Sequence, residues 1–96
     1  MSGRGWYLVC YDVRDDKRLR LAAKLLEGYG ERMQYSVFRC RLTRREEERM
    51  RWELTRALGK EDAWLIVPLC DSDIQRLRSH DSRSTWPADP PRYIVI

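Results

Sequence analysis

Histidine, cysteine and long apolar runs are all scarce in this sequence. One of its 96 residues is histidine, His80, and three are cysteine, with no CxxC pair among them. A structural zinc site needs about four such ligands at short spacings, so this composition argues against one. We therefore expect Cys10, Cys40 and Cys70 to be buried free thiols.

The longest apolar runs fall well short of the roughly 20 residues that span a membrane. Met1–Gly5 also lacks the apolar region of a signal peptide. We therefore expect a cytoplasmic protein with no membrane partner. The length suits a single domain over residues 1–96 with one modest core, so any large catalytic cavity would have to be shared between chains.

Basic residues outnumber acidic ones, 19 to 15, which gives a net charge of +4. Nearly all of the basic residues are arginine, whose planar guanidinium group is well suited to binding phosphate. The composition favours an anionic partner such as nucleic acid. A solvated, arginine-rich surface explains the same numbers.

The hydrophobic pattern predicts alternating strands and helices. Trp6–Tyr11 and Ala63–Cys70 are apolar on successive residues, which is typical of strands covered on both faces. Between them, Lys17–Tyr29 has the apolar spacing of a helix, with Asp15 or Asp16 as its N-cap and glycines at its end.

The middle of the chain adds a strand and a second helix. Met33–Leu42 resembles one strand, with Phe38 and Cys40 pointing to one face and arginines to the other, although no residue clearly marks a hairpin. Thr43 and Glu46 have the spacing of a capping box, which predicts a helix that ends at Gly59.

This order of elements predicts an α+β fold, a ferredoxin-like βαββαβ sandwich with an extra C-terminal strand. Helices cover only one side of such a sheet, so a second copy is expected to cover the other, giving a homodimer through the sheet face. Residues 71–92 form a polar, proline-rich connection, and residues 93–96, YIVI, are predicted to be a terminal strand that pairs with the partner subunit.

Three stretches resemble the landmarks of one family, the small CRISPR-associated Cas2 proteins. They are YDVRDDKR near the start, GYGERMQYSVF at Gly28–Phe38 and LIVPLC at Leu65–Cys70. Within the second stretch, five residues stand at matching positions: Arg32, Gln34, Ser36, Val37 and Phe38. The resemblance covers about residues 7–70, and the order and spacing of the three stretches make it specific.

The resemblance implies a role in CRISPR adaptation, as a homodimer bound to the Cas1 integrase and to duplex DNA that becomes a new spacer. Some members are described as endonucleases that act on RNA or DNA with Mg²⁺, or Mn²⁺ in its place. The metal-binding and catalytic position carried over is Asp12, at the end of the first strand.

Mg²⁺ keeps several waters and often takes only one or two protein carboxylates. We expect the single Asp12 of one chain to be too little for such a site. A twofold axis near the strand ends would bring two Asp12 carboxylates to one ion. A strand-end aspartate can instead accept backbone amides of the following turn. For Asp15 and Asp16, helix capping is the simpler interpretation.

Several basic residues are candidates for phosphate contact, and a solvated helix face with partial ion pairs is the alternative for them. They are Arg14, Lys17, Arg18, Arg20, Arg32, Arg39 and Arg41. Tyr11 and Phe38 are possible base-stacking residues, but core or interface packing explains them better. Ser36 is a candidate for a hydrogen bond near Asp12.

Three functions remain open from the sequence. The chain could be an assembly component that bridges integrase subunits on duplex DNA, or a metal-dependent endonuclease that uses Asp12. It could also be a non-catalytic ferredoxin-like RNA-binding or regulatory module unrelated to CRISPR.

Overall fold

A computed structural model describes residues 3–78 of the chain. His80, the predicted terminal strand at 93–96 and most of the predicted connection at 71–92 lie outside this range. Within it the elements are β1 (Gly5–Asp12), α1 (Asp16–Glu27), β2 (Gly30–Gln34), β3 (Val37–Leu42), α2 (Arg44–Ala57), β4 (Ala63–Leu69) and α3 (Asp71–Gln75). None of these helices is both long and apolar enough to cross a bilayer.

The four strands form one antiparallel sheet in the order β2-β3-β1-β4. Helix α1 connects β1 to β2, which have β3 between them in the sheet, and α2 connects β3 to β4, which have β1 between them. This is the ferredoxin-like βαββαβ arrangement, so the predicted α+β class is confirmed. Strand β1 lies inside the sheet, whereas β2 and β4 are its edges.

Alternation along the strands separates a core face from an open face. Val9 and Tyr11 of β1 point toward the helices together with Phe38 and Cys40 of β3, and all four are at most 5% exposed. From the helices, the buried side chains that meet them are Ala22 and Leu26 of α1 and Met50 and Leu54 of α2. The predicted inward face of β3 is therefore confirmed.

Within residues 3–78, no long helix lies over the opposite face of the sheet. The register places Leu8 and Cys10 of β1 beside Val67 and Leu65 of β4 on this face, and Leu65 is 58% exposed. We call this surface the open face. The apolar runs that predicted two-sided burial therefore have one side covered by α1 and α2.

The short helix α3 lies against one end of the open face, and the sequence analysis did not predict it. Its Ile74 is buried, and together with Asp71 and Gln75 it lines a recess with Trp6 and Arg41. A helix of five residues is too short for an apolar periodicity to be visible in the sequence.

Met33–Leu42, which resembles one strand in the sequence, is part of a hairpin, so residues 30–42 supply the second and third strands that the βαββαβ arrangement requires. Strands β2 and β3 are joined at Tyr35 and Ser36, and a bulge interrupts their pairing between Arg32 and Gln34. The turn contains no glycine, proline or asparagine, the residues that usually mark a hairpin.

Both predicted helix caps are present. Asp15 is the N-cap of α1 and its carboxylate accepts the Arg18 backbone N–H at 2.9 Å. Thr43 and Glu46 form the reciprocal capping box of α2, with distances of 3.1 and 2.8 Å. Helix α2 ends at Ala57, two residues before the predicted end.

The three cysteines differ in exposure, so the prediction of three buried thiols is correct only for Cys40. Cys10 is partly exposed and Cys70 is exposed, although all three are free as predicted. Burial raises the pKa of the Cys40 thiol to about 11, which keeps it protonated and unreactive at neutral pH. Cys10 and Cys70 are less buried because they lie on the open face and after the end of β4.

An ion-pair network connects the start of α1 to the loop before β4. Arg18 donates to Asp62 at 2.8 Å and to Glu61 at 2.9 Å, and Asp62 also accepts the Gly59 backbone N–H at 2.7 Å. The Asp62 side chain is 1% exposed, whereas that of Glu61 is 72% exposed. The Arg18 guanidinium and the Gly59 amide lower the pKa of the Asp62 carboxyl.

This lowered pKa predicts an acid-sensitive contribution to stability. The contribution is fully present above the ordinary aspartate pKa and is lost as the pH falls through the lowered pKa of the folded state. We expect Asp62→Asn to lower the thermal midpoint at neutral pH, and we expect its midpoint to change less than that of the wild type between about pH 5 and about pH 2.

Thermal unfolding followed by circular dichroism across this pH range is the measurement. Glu61→Gln is the matched control, because it removes a carboxylate from the same Arg18 at an exposed position. It should stay close to the wild type. Equal midpoints for Asp62→Asn and the wild type at neutral pH would contradict a stabilising role of the network.

Candidate functional site

Asp12 lies exposed at the end of β1, on the open face of the sheet. It pairs with Ala63 of β4, and the neighbouring side chains on this face are Cys10 and Leu65. With Tyr11 and Trp64, these residues line a shallow recess, and Asp12 is the only carboxylate among its described lining residues. Asp12 is therefore accessible, on a surface that is otherwise apolar.

The described residues of one chain do not form a complete metal site around Asp12. Among residues 3–78, no three histidine, cysteine, aspartate or glutamate side chains lie close enough together to hold a metal ion. The carboxylate of Asp15 is used as the N-cap of α1, and Asp16 is in its first turn, where a negative charge is favourable. The predicted capping role of these two residues is therefore confirmed for Asp15.

The chemistry of Asp12 nevertheless fits a hard cation. Mg²⁺ and Mn²⁺ prefer oxygen ligands, and Mg²⁺ often takes one or two protein carboxylates while keeping several waters. A single exposed carboxylate on a flat surface leaves room for those waters. The second carboxylate would have to come from another copy of the chain.

The hairpin turn that contains Ser36 lies beside the end of β1 that carries Asp12. The Tyr11 N–H donates to the Ser36 carbonyl at 3.1 Å, which extends the pairing of β1 with β3 into the hairpin turn. The Tyr11 hydroxyl donates to the Tyr35 carbonyl at 3.4 Å on the same turn. The hairpin turn is thereby held beside the last residues of β1.

Tyr11 and Phe38 pack in the core and do not form a base-stacking platform. Their rings stack with centroids 6.2 Å apart, and both are at most 5% exposed. Burial is the main cause that raises the pKa of the Tyr11 hydroxyl, and the nearby Arg32 opposes it. The Arg32 guanidinium lies 5.3 Å from the Phe38 ring centroid, so this arginine covers the edge of the core.

Three of the predicted phosphate-binding residues are exposed beside Asp12 or on the following helix. Arg14, Lys17 and Arg20 have no carboxylate within ion-pair distance in the described part of the chain. Arg14 and Lys17 are within five residues of Asp12 along the chain. Their charges are therefore available to an anionic ligand at this end of the sheet.

Arg18 differs from its neighbours because it points to the Asp62 carboxylate. Two further predicted residues, Arg39 and Arg41, lie on the open face at the other end of β1, with their guanidinium groups 5.7 and 5.6 Å from the Trp6 ring centroid. Arg41 is opposite Trp6, about 20 Å from Asp12 at the spacing of residues in a strand. These arginines therefore do not join Asp12 in one site.

Arg39 is the most deeply placed cation of the described residues. It is 3% exposed and donates to Glu31 on the neighbouring strand at 2.7 Å. Burial lowers the pKa of its guanidinium group, and Glu31 partly offsets this effect. The position is consistent with a structural role.

The sequence carries no signal for the partners of these arginines. Asp62 ends the segment Gly59–Asp62, whose composition of glycine, lysine and acidic residues marks a turn, but nothing in that turn indicates an ion pair with α1. The contact between α3 and Trp6 had no visible signal in the sequence either. Both depend on residues that are far apart along the chain.

A family model described as CRISPR associated protein Cas2 matches residues 5–77. This range contains β1 through α3 and therefore the whole described sheet. A curated relative from Synechocystis, named CRISPR-associated endoribonuclease Cas2 2, is 38% identical over 94 residues, covering 95% of this chain and 98% of the relative.

Solved structures agree with this match. The crystal structure of Streptococcus pyogenes Cas2 superposes with a TM-score of 0.72 at 33% identity, covering 79% of this chain and 99% of that one. A chain of a partial Cas6-RT-Cas1–Cas2 complex has a TM-score of 0.67 at 29% identity, covering 85% and 91%. With the family model, the relative and the fold in agreement, this chain belongs to the Cas2 family of CRISPR-associated proteins.

Proposed function

We propose that this protein acts in CRISPR adaptation as a cytoplasmic homodimer that binds duplex nucleic acid and bridges the Cas1 integrase during spacer acquisition. Support for the partner comes from the similarity to a chain of a complex that contains Cas1 and Cas2. The observation that supports the proposed dimer is the apolar open face of the sheet, on which Leu65 is 58% exposed.

The position of α3 indicates where two copies would meet. Because α3 lies over the Trp6 end of the open face, the apolar surface beyond it is at the other end, around Cys10 and Leu65. Two copies related by a twofold axis there would bury this surface and bring their Asp12 carboxylates close together. Strand β4 is an edge of the sheet and offers a pairing site for the predicted terminal strand 93–96 of the other copy.

The same arrangement would bring two sets of unpaired cations to one surface. Arg14, Lys17 and Arg20 of each copy would lie around the paired strand ends, where phosphates could be bound on both sides of the axis. Such contacts fix a duplex by its backbone and carry no sequence information directly. This agrees with a protein that accepts spacers of varied sequence.

A second activity is supported by the names of the relatives, which are described as endoribonucleases. We propose that the two Asp12 carboxylates of the dimer hold Mg²⁺ or Mn²⁺ and that the dimer cleaves phosphodiester bonds in RNA or DNA. The bound ion would supply charge stabilisation and a more acidic water near neutral pH. Arg14 and Lys17 would hold the flanking phosphates in position.

The alternative of a ferredoxin-like RNA-binding or regulatory module unrelated to CRISPR has lost its support. Membership of the Cas2 family connects the chain with CRISPR. The stacking residues that such a module would use, Tyr11 and Phe38, are buried in the core.

The dimer proposal predicts that a charge at Leu65 separates the copies. Leu65→Asp would bury an unpaired carboxylate in the interface, so we expect a sedimentation velocity experiment to show a dimer for the wild type and a monomer for the variant. Leu21→Asp is the control, because Leu21 is 47% exposed on α1, away from the open face. A wild type that stays monomeric at micromolar concentration would contradict the dimer and the shared metal site together.

The nuclease proposal predicts that Asp12→Ala abolishes metal-dependent cleavage. We expect the rate on labelled RNA and DNA to fall by roughly a hundredfold or more, since loss of even an outer-shell partner of a metal ligand costs about 10–100-fold. Asp16→Ala, prepared in the same way, is the matched control and should retain the wild-type rate. A rate that is unchanged in Asp12→Ala or with EDTA would contradict the proposal and assign the cleavage to another source, such as a contaminating nuclease.

The duplex-binding proposal predicts a reduced salt dependence for Arg14→Ala/Lys17→Ala. Each lost phosphate contact should lower the slope of log K against log salt by about 0.9 per chain. Fluorescence anisotropy with labelled duplex at several salt concentrations measures this slope. Arg44→Ala removes an exposed arginine at the other end of the sheet, just after Leu42, and should leave the slope unchanged, whereas an equal reduction in both variants would indicate an effect of net charge alone.

A further inference from the structure

Helix α2 carries three arginines around an exposed tryptophan on the side that faces away from the core. These residues, Arg45, Arg49, Trp52 and Arg56, follow one another at intervals of four, three and four, which places them along one face of the helix. We call this set the α2 stripe. The buried Met50 and Leu54 are on the opposite face of α2.

Trp52 is held in an exposed position. It is 57% exposed, and the Arg56 guanidinium lies 4.9 Å from the centroid of its ring. This contact covers part of the ring and restrains the side chain, so little conformational freedom would be lost on binding. Tryptophan and arginine are the residues most enriched among those that dominate the binding energy of protein interfaces.

The uncompensated charge of α2 is confined to the stripe. Arg45 and Arg56 have no carboxylate within ion-pair distance in the described part of the chain, whereas Arg49 pairs with Glu53 at 3.6 Å. On the sides of the helix, arginine and glutamate compensate one another in the pairs Arg44–Glu48 and Arg51–Glu47, at 3.8 and 3.6 Å.

We propose that the α2 stripe docks an acidic segment of a partner protein. An apolar side chain of the partner would pack on Trp52, while its carboxylates would pair with Arg45 and Arg56, which are about 17 Å apart along the helix. This inference goes beyond the proposed function and requires neither the dimer nor Asp12, because α2 lies on the other side of the sheet from the open face.

The shape and charge of the stripe favour a protein over a nucleic acid. Single-stranded nucleic acid is usually bound in a positively charged groove with several aromatic platforms, whereas the stripe is a convex surface with one tryptophan. The glutamates at its sides would also repel a continuous phosphate backbone. A partner with a few placed carboxylates and an apolar anchor avoids both costs.

The test uses the full chain and a labelled amphipathic helical peptide of glutamate and leucine as a probe, with binding followed by fluorescence anisotropy. We expect the wild type to bind this peptide more tightly than a scrambled peptide of the same composition. Trp52→Ala and Arg45→Ala/Arg56→Ala should each weaken binding by at least about fivefold, in line with residues at the centre of an interface. Arg51→Ala, an exposed arginine of the same helix outside the stripe, should match the wild type within about twofold.

Three results would overturn the proposal. The wild type could fail to prefer the patterned peptide, or Trp52→Ala could bind it as well as the wild type. A single-stranded oligonucleotide of equal charge could also depend on Trp52 more strongly than the peptide does, which would assign the stripe to nucleic acid. Thermal melts of each variant ensure that the losses do not come from unfolding. Peptide binding does not depend on metal-dependent cleavage, so a protein without nuclease activity would still give a valid result in this test.

Discussion

The pairing of β1 with a strand on each side is the constraint on which the rest of this structure depends. Once β3 and β4 fix its register, every second side chain of β1 must face the helices and the others must face away. Val9 and Tyr11 thereby enter the core, while Leu8, Cys10 and Asp12 share the open face. The candidate site and the proposed dimer surface are consequences of the same alternation.

The arginines of this protein fall into three physical classes that composition alone does not separate. Some are bound to carboxylates, such as Arg18 to Asp62 and Arg39 to Glu31. Others lie over aromatic rings, as Arg41 does over Trp6. A third group is exposed with no carboxylate within reach among the described residues, and it includes Arg14. The arginines without a carboxylate partner keep their full charge available for an anionic partner.

A domain of this size has limited means of building an enclosed active site. Its helices already cover one face of the sheet, and the recess at Asp12 is shallow and contains one carboxylate. A symmetric dimer offers a physical solution, because each metal-ligating side chain near the twofold axis is joined by the same side chain of the second copy. The proposed dimer and the proposed metal site are thus one hypothesis about the same surface, while the α2 stripe on the other layer is independent of it.

The sequence by itself determined the features that depend on near neighbours. Runs of successive apolar residues identified β1 and β4, and a period of 3.6 residues identified both long helices. The capping residues Asp15 and Thr43 marked the starts of the helices, and three short stretches indicated the family. The tertiary structure decided the position of the hairpin turn at Tyr35–Ser36 and the pairing of Arg18 with Asp62. It also decided the burial of Arg39 and the placement of α3 on Trp6. Most of these features depend on residues brought together from distant parts of the chain, and the hairpin turn has residues with no local turn preference. A local sequence pattern does not specify which distant side chain will pair with a charge or cover a face of the sheet.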